Sequence, residues 1–165
     1  MLNLNLKKIL LNSIIILVLF LIDRISKIYI LKIAELEKTV DVYLNPYLNL
    51  YLIWNKGIAF GLFSFDNFFI YQLISLVIFI ISIVLIIMIV KSDGFKKYSL
   101  MLILSGALGN LFDRIYYLAV PDFIDLHIND FHWFIFNVAD IFITIGVICL
   151  ILDELFFYKK NNEIN

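Results

Sequence analysis

Apolar residues run in long blocks along this chain, and the polar residues between them fall into a few short clusters. A helix needs about 20 mostly apolar residues to cross a hydrocarbon core about 30 Å thick. Four blocks reach that length, at 9–31, 68–90, 98–118 and 133–152. The first carries charge only in its second half, and the second holds no charged residue. The third is interrupted by Asn110, Asp113 and Arg114, and the fourth carries Asn137 and Asp140. The outer loop 32–67 is too long for a simple connection. Leu31–Lys38 fits a short helix lying at the interface. Val40, Val42 and Leu44 then alternate with Asp41, Tyr43 and Asn45. Leu48, Leu50, Leu52 and Trp54 alternate with Tyr47, Asn49, Tyr51 and Ile53, and period-two alternation predicts strands. Asn45-Pro46 and Asn55-Lys56-Gly57 are turn signals at their ends. The pattern predicts an all-α polytopic membrane protein: one domain over 1–165, four transmembrane helices and a small extracytoplasmic β-sheet. The sheet is either a structural cap or a platform that guides a substrate chain to the membrane surface.

Composition strengthens this reading. Of 165 residues, 63% are hydrophobic, more than a soluble domain of this size can hide, so lipid must solvate much of the surface. Thirteen basic and 14 acidic residues leave a net charge of −1, which gives no reason to expect nucleic acid as a partner. The single cysteine, Cys149, excludes an intramolecular disulfide and reads as a small buried hydrophobe. Lys7 and Lys8 precede the first block as in a signal peptide. Asp23, Arg24 and Lys27 follow where a small-x-small cleavage site would be needed, so the segment reads as a retained span. Segments 1–8, 91–97 and 153–165 hold seven Lys in 28 residues, against three Lys in the 54 residues of 32–67 and 115–132. That bias predicts a multi-pass protein with both termini cytoplasmic. Trp133, Tyr116 and Tyr117 fit anchors at the outer interface.

Ionisable groups in lipid are expensive, so each needs a partner or a task. At a rise of about 1.5 Å per residue, Asp23 lies about 21 Å from the cytoplasmic start of its span. Asn110 and Asp113 lie about 18 and 22 Å up theirs. Asp140, counted from Trp133, lies about 10 Å beneath the outer surface. The polar groups of three spans are thus expected in one layer, in the outer third of the membrane. Asn110, Asp113 and Arg114 share a helical face by their i, i+3, i+4 spacing, as do Asp23, Ser26 and Lys27. Ser105, Gly106, Ala107 and Gly109 offer a small-residue surface for close helix packing.

Two readings stand for most of these groups. Asp23 with Lys27, and Asp113 with Arg114 or Asn110, can be structural ion pairs or part of a site. Asp140 has no basic residue within one turn, which favours a chemical role. Asp122, ahead of Phe123 and Ile124, is the best partner for it. Asp125 and Asp130 compete, but both neighbour polar residues and read as solvated. Two carboxylates brought close cannot both ionise, and such a dyad activates water with one member while the other polarises a carbonyl. His127 and His132, with Asp122 and Asp125, can bind zinc, although loop histidines are more often interfacial. HExxH and GxSxG motifs and a Gly-rich phosphate loop are absent from the sequence.

Five motifs, in order, resemble the bacterial lipoprotein signal peptidases, the signal peptidase II family. They are Asp23 with Lys27; Asn55-Lys56-Gly57-Ile58-Ala59-Phe60; Gly106-Ala107-Leu108-Gly109-Asn110 with Asp113-Arg114; Asp122-Phe123-Ile124; and Phe136-Asn137-Val138-Ala139-Asp140. The resemblance spans essentially the whole chain. Pro121 departs from it, where the family more often has a small aliphatic residue, and proline suits an extended approach to the aspartate. The resemblance implies an aspartic endopeptidase of the bacterial inner membrane with Asp122 and Asp140 as catalytic pair. It implies that Asn55, Gly57, Asn110, Arg114 and Asn137 line the substrate site and that Asp23, Lys27 and Asp113 support it. The implied substrate is a diacylglyceryl-modified prolipoprotein, cut before its lipidated cysteine. No metal or organic cofactor is implied, and the expected state is a monomer in membrane lipid. An ion or proton pathway through Asp23, Asp113 and Asp140 is a rival reading, although the cytoplasmic half of each span is predominantly apolar and uncharged. A non-catalytic assembly subunit that binds through the outer sheet is another.

Overall fold

The computed structural model describes residues 4–57, 68–129 and 131–162. Its elements are α1 (Leu4–Glu37), β1 (Asp41–Asn45), β2 (Leu48–Asn55), α2 (Phe68–Lys91), α3 (Gly94–Tyr116), β3 (Val120–Ile128), β4 (Phe131–Phe136) and α4 (Val138–Asn162). The architecture is mostly helical, with one small antiparallel sheet in the order β1-β2-β3-β4.

Each of the four long apolar blocks contributes a helix, which satisfies its backbone groups within its own segment. Two of them, α1 and α2, are long and apolar enough to cross a membrane. Their outward faces carry Ile9, Ile14, Ile25, Leu76, Phe79 and Val90, all exposed. An apolar surface of that extent is not one that water solvates. Helix α3 packs against α1, α2 and α4 and is the axis of the bundle. Gly106 and Gly109 make the α3–α4 approach possible. A Cβ on Gly106 would collide with the Ala139 backbone, and one on Gly109 would come within 2.6 Å of the Asp23 carboxylate.

Three boundaries differ from the expectation. Residues 31–37 continue α1 and do not form a separate interfacial helix. The helix stops at Lys38, which takes a left-handed conformation with φ of 65°. The fourth apolar block is not helical from Trp133, since residues 131–136 form β4 and α4 starts only at Val138. The run FHWFIF is too short and too rich in aromatic and β-branched residues to prefer a helix. The third difference is β3, which occupies residues read as loop and completes the sheet between β2 and β4.

The predicted hairpin of β1 and β2 is present, with the Tyr47 amide donating to the Asn45 side chain at its turn. Val42, Leu50 and Leu52 point inward, as the alternation requires, and pack with Ile30, Val40 and Phe123. This small core seats the sheet on the end of α1. Leu44 and Trp54 fall out of phase and are exposed, and register shifts lie between Tyr43 and Asn45 and between Leu50 and Ile53. A bulge of one residue turns the following side chains to the other face. A second core of Leu85, Ile89, Leu100, Met101 and Leu104 holds the helices together farther along the bundle.

Candidate active site

Four charged residues fill the space between α1 and α3. Asp23, Arg24, Lys27 and Asp113 are all buried. Asp23 accepts from Arg24 Nη2 at 2.6 Å and from Lys27 Nζ at 3.0 Å. Asp113 accepts from both Arg24 guanidinium nitrogens and from Lys27 Nζ at 2.7 Å. Two anions and two cations cancel, and the remaining donors are also met: Arg24 donates to the Gly109 carbonyl, and its guanidinium lies over the Phe112 ring at 4.9 Å.

This geometry revises the expected pairing. Asp113 pairs across to α1, not with its neighbours Arg114 or Asn110. Arg24 is the missed member. The one signal that could have marked it was its charge beside Asp23 within an apolar run. Ser26 takes no part and bonds back to the Asp23 carbonyl.

Asn110 carries the network onward. Its Oδ1 accepts from Lys27 Nζ at 3.0 Å, and its Nδ2 donates to Asp140 Oδ1 at 2.8 Å. Asp140 lies in the first turn of α4, so its distance from Trp133 is not a helical count. The Asn137 amide N–H donates to Asp140 Oδ2 at 3.2 Å, and the Asp140 N–H donates to Asn137 Oδ1 at 3.3 Å. This reciprocal exchange is a capping box with Asn and Asp in place of Ser and Glu. It fixes the Asp140 carboxylate where the helix dipole favours negative charge.

Asp122 comes from β3 and is 1% exposed. It accepts from Asn55 Nδ2 at 2.8 Å and from Asn137 Nδ2 at 2.6 Å. One residue, Asn137, therefore bonds both carboxylates. Burial first, and the Asp140 charge second, push the Asp122 carboxyl up from 3.8 to about 6. A carboxyl in that range exchanges its proton near neutral pH, as general acid–base chemistry needs.

The other expected residues fall around this pair. The Gly57 N–H donates to Asn55 Oδ1 at 2.8 Å, and Arg114 donates to the Gly57 carbonyl while its guanidinium lies 5.4 Å from the Tyr71 ring centre. Ile58, Ala59 and Phe60 of that motif lie outside the described residues, as does Asp130. Asp125 is not solvated, as its polar neighbours suggested. It is buried and bonds His132 Nδ1 at 2.8 Å. An apolar cavity of about 270 Å³ borders Asp140, lined also by Leu126, Trp133, Phe136, Ile141 and Thr144.

A buried carboxylate pair set at the junction of an apolar helical bundle and a small sheet is the plan of a membrane aspartic peptidase. Comparison with known proteins agrees. Residues 15–156 match the family described as "Signal peptidase (SPase) II". The lipoprotein signal peptidase of Pelagibacter ubique (strain HTCC1062) is 61% identical over 164 residues, covering 99% of each chain. That of Aquifex aeolicus (strain VF5) is 40% identical over 147 residues, covering 85% of this chain and 82% of its own. A bacterial membrane enzyme solved by the in meso method superimposes with a TM-score of 0.67 at 29% identity, covering 87% of both chains. The chain belongs to the signal peptidase II family.

Proposed function

We propose that this protein removes the signal peptide from diacylglyceryl-modified prolipoproteins, cutting before the lipidated cysteine with Asp122 and Asp140 as the catalytic pair. Its family acts as lipoprotein signal peptidases, so hydrolysis of lipoprotein precursors is the activity of the class. The observation that carries the finer reading is the single Asn137 side chain and backbone joining two buried carboxylates.

In this mechanism the ionised carboxylate takes a proton from water, and the hydroxide oxygen attacks the scissile carbonyl carbon. The protonated carboxyl gives its proton to the carbonyl oxygen. Collapse of the resulting diol breaks the C–N bond, and the departing amine takes a proton from the pair. Asn137, Asn55 and Asn110 orient the carboxylates. Gly57 and Arg114 hold the substrate backbone, and buried Arg114 retains Nε and Nη1 without a hydrogen-bond partner among the described residues. Asp23, Lys27 and Asp113, with Arg24, brace the bundle beneath. The apolar cavity beside Asp140 suits apolar substrate groups.

All four helices cross the inner membrane in this reading, as one multi-pass unit over 1–165. Both termini are cytoplasmic, and the sheet and aspartate pair are at the outer face. Apolar faces on α4, such as Ile148, Ile151 and Leu155, support a lipid contact there too. The enzyme works as a monomer in membrane lipid and needs no cofactor for the reaction. The test is cleavage of a lipidated lipobox peptide by the purified protein in detergent. Wild type should release the signal peptide, and the Asp140→Asn protein should leave the precursor intact. Equal turnover by both would overturn the assignment.

A further inference from the structure

The hairpin of β3 and β4 carries a second cluster of metal-ligating groups that the hydrolytic pair does not use. Asp125, His127 and His132 offer one ligand atom each, all within 4.8 Å of one another. His127 and His132 are register partners across the hairpin, and a register shift between Asp125 and His127 lies beside them. Bulges of this kind re-aim side chains. Here both imidazoles face the same buried carboxylate.

An ion pair alone leaves this cluster unsatisfied. His132 Nδ1 bonds Asp125 at 2.8 Å. His127 Nδ1 stands 3.8 Å from the same carboxylate, too far for a hydrogen bond. The His127 side chain is only 9% exposed, and its Nδ1 has no hydrogen-bond partner among the described residues. A buried ring nitrogen without a partner, beside a carboxylate and a second imidazole, is a coordinating atom that the protein's own contacts leave unused. The two rings stack with centroids 5.2 Å apart, so both imidazoles present nitrogens to one small space beside the carboxylate.

We propose that Asp125, His127 and His132 form a site for a borderline divalent transition-metal ion, zinc above all, that clips β3 to β4. Two imidazoles and a carboxylate are a ligand set that zinc accepts, whereas calcium and magnesium require oxygen ligands. Tetrahedral bonds of about 2.0–2.1 Å put ligand atoms about 3.3 Å apart. From separations of at most 4.8 Å, small side-chain rotations reach that spacing, and His132, 56% exposed, has room to turn once the ion replaces its bond to Asp125. The exposed side also leaves the fourth position to water. The ion is not part of the hydrolysis. Asp122, three residues before Asp125 on the same strand, keeps its own two asparagine partners. The clip instead ties together the two strands whose far ends present Asp122 and, through Asn137, Asp140.

The experiment uses full-length protein without a histidine tag, stripped with a chelator in detergent and titrated with zinc chloride. Cobalt substitution reads the geometry by its visible absorption. Wild type should bind one ion per chain and give the spectrum of tetrahedral cobalt with nitrogen and oxygen ligands. His132→Ala, a change at an exposed side chain, and His127→Ala should each weaken zinc binding by at least about tenfold. Asp122→Asn should bind zinc as wild type does, and the stripped wild type should still process precursor. These last two results separate the site from the peptidase assignment. Binding of zinc by the His127→Ala/His132→Ala protein with wild-type affinity, or no stoichiometric binding by wild type, overturns the proposal.

Discussion

Two buried polar clusters meet at Asn110, and they are balanced in opposite ways. In the quartet of Asp23, Arg24, Lys27 and Asp113, every carboxylate oxygen lies within 3.0 Å of a cationic nitrogen. In the pair of Asp122 and Asp140, the hydrogen-bond partners among the described residues are amide donors from asparagines and backbone, with no cation among them. Both clusters are out of water, so the difference is not one of burial. A quartet whose charges cancel is suited to holding helices in place. Two carboxylates supported only by amides keep their charge conflict, and the Asp122 proton is left available near neutral pH. On the proposed function, one bundle keeps charge for structure in one place and charge for chemistry a few ångströms of hydrogen bonds away.

The largest expected effect separates the clusters by activity. Asp122→Asn should lower precursor turnover by about 10²–10⁴-fold while the protein still inserts and melts cooperatively. Turnover within a factor of three of wild type, measured on a lipidated precursor, would break the contrast at once. The reverse profile is expected below. Asp113→Ala leaves two buried cations, Arg24 and Lys27, to the single carboxylate of Asp23 and should destabilise the fold by about 3–5 kcal/mol. Thermal unfolding in detergent reads this, and an unchanged midpoint would mean the quartet is not what braces α1 to α3.

A pH series sharpens the comparison further. The folded Asp122 carboxyl is raised from 3.8 to about 6, so folding takes up a proton across that interval. The stability this proton contributes is complete below about pH 4 and is lost as pH rises through about 6. Relative to Asp122→Asn, wild type should therefore gain up to roughly 3 kcal/mol between about pH 7.5 and pH 4. Parallel stability curves for the two proteins would mean that the pair carries no charge conflict. The smallest effect tests the helix contact on which both clusters rest. Gly106→Ala pushes a methyl group into the Ala139 backbone and should cost about 1–3 kcal/mol, read as a lowered melting midpoint. A midpoint at or above that of wild type would show that α3 and α4 can part without loss.

Much of the site was legible because charge in an apolar run is costly wherever the chain goes. Asp23, Lys27, Asn110, Asp113, Asn137 and Asp140 stand out for that reason alone. Asp122 was reachable as the acid with apolar followers, and it does meet Asn137. Arg24 was not, because the depth of a charge along a helix does not tell which helix it turns toward. Nor did the sequence separate β4 from the start of the fourth helix. An apolar run of six residues has no period that distinguishes a buried strand from a helical turn.

Sequence alone determined the apolar lengths that become helices, the hairpin of β1 and β2, and the family to which the chain belongs. These depend on local pattern and on residue order, both of which are written along the chain. Only the tertiary structure decided that β2 and β3 pair across an intervening pair of helices, that Asp113 answers to α1, and that Asn137 joins both aspartates. Such contacts are settled by which groups must share a buried space once the helices pack. A desolvated donor takes the acceptor within reach, whatever their separation in sequence.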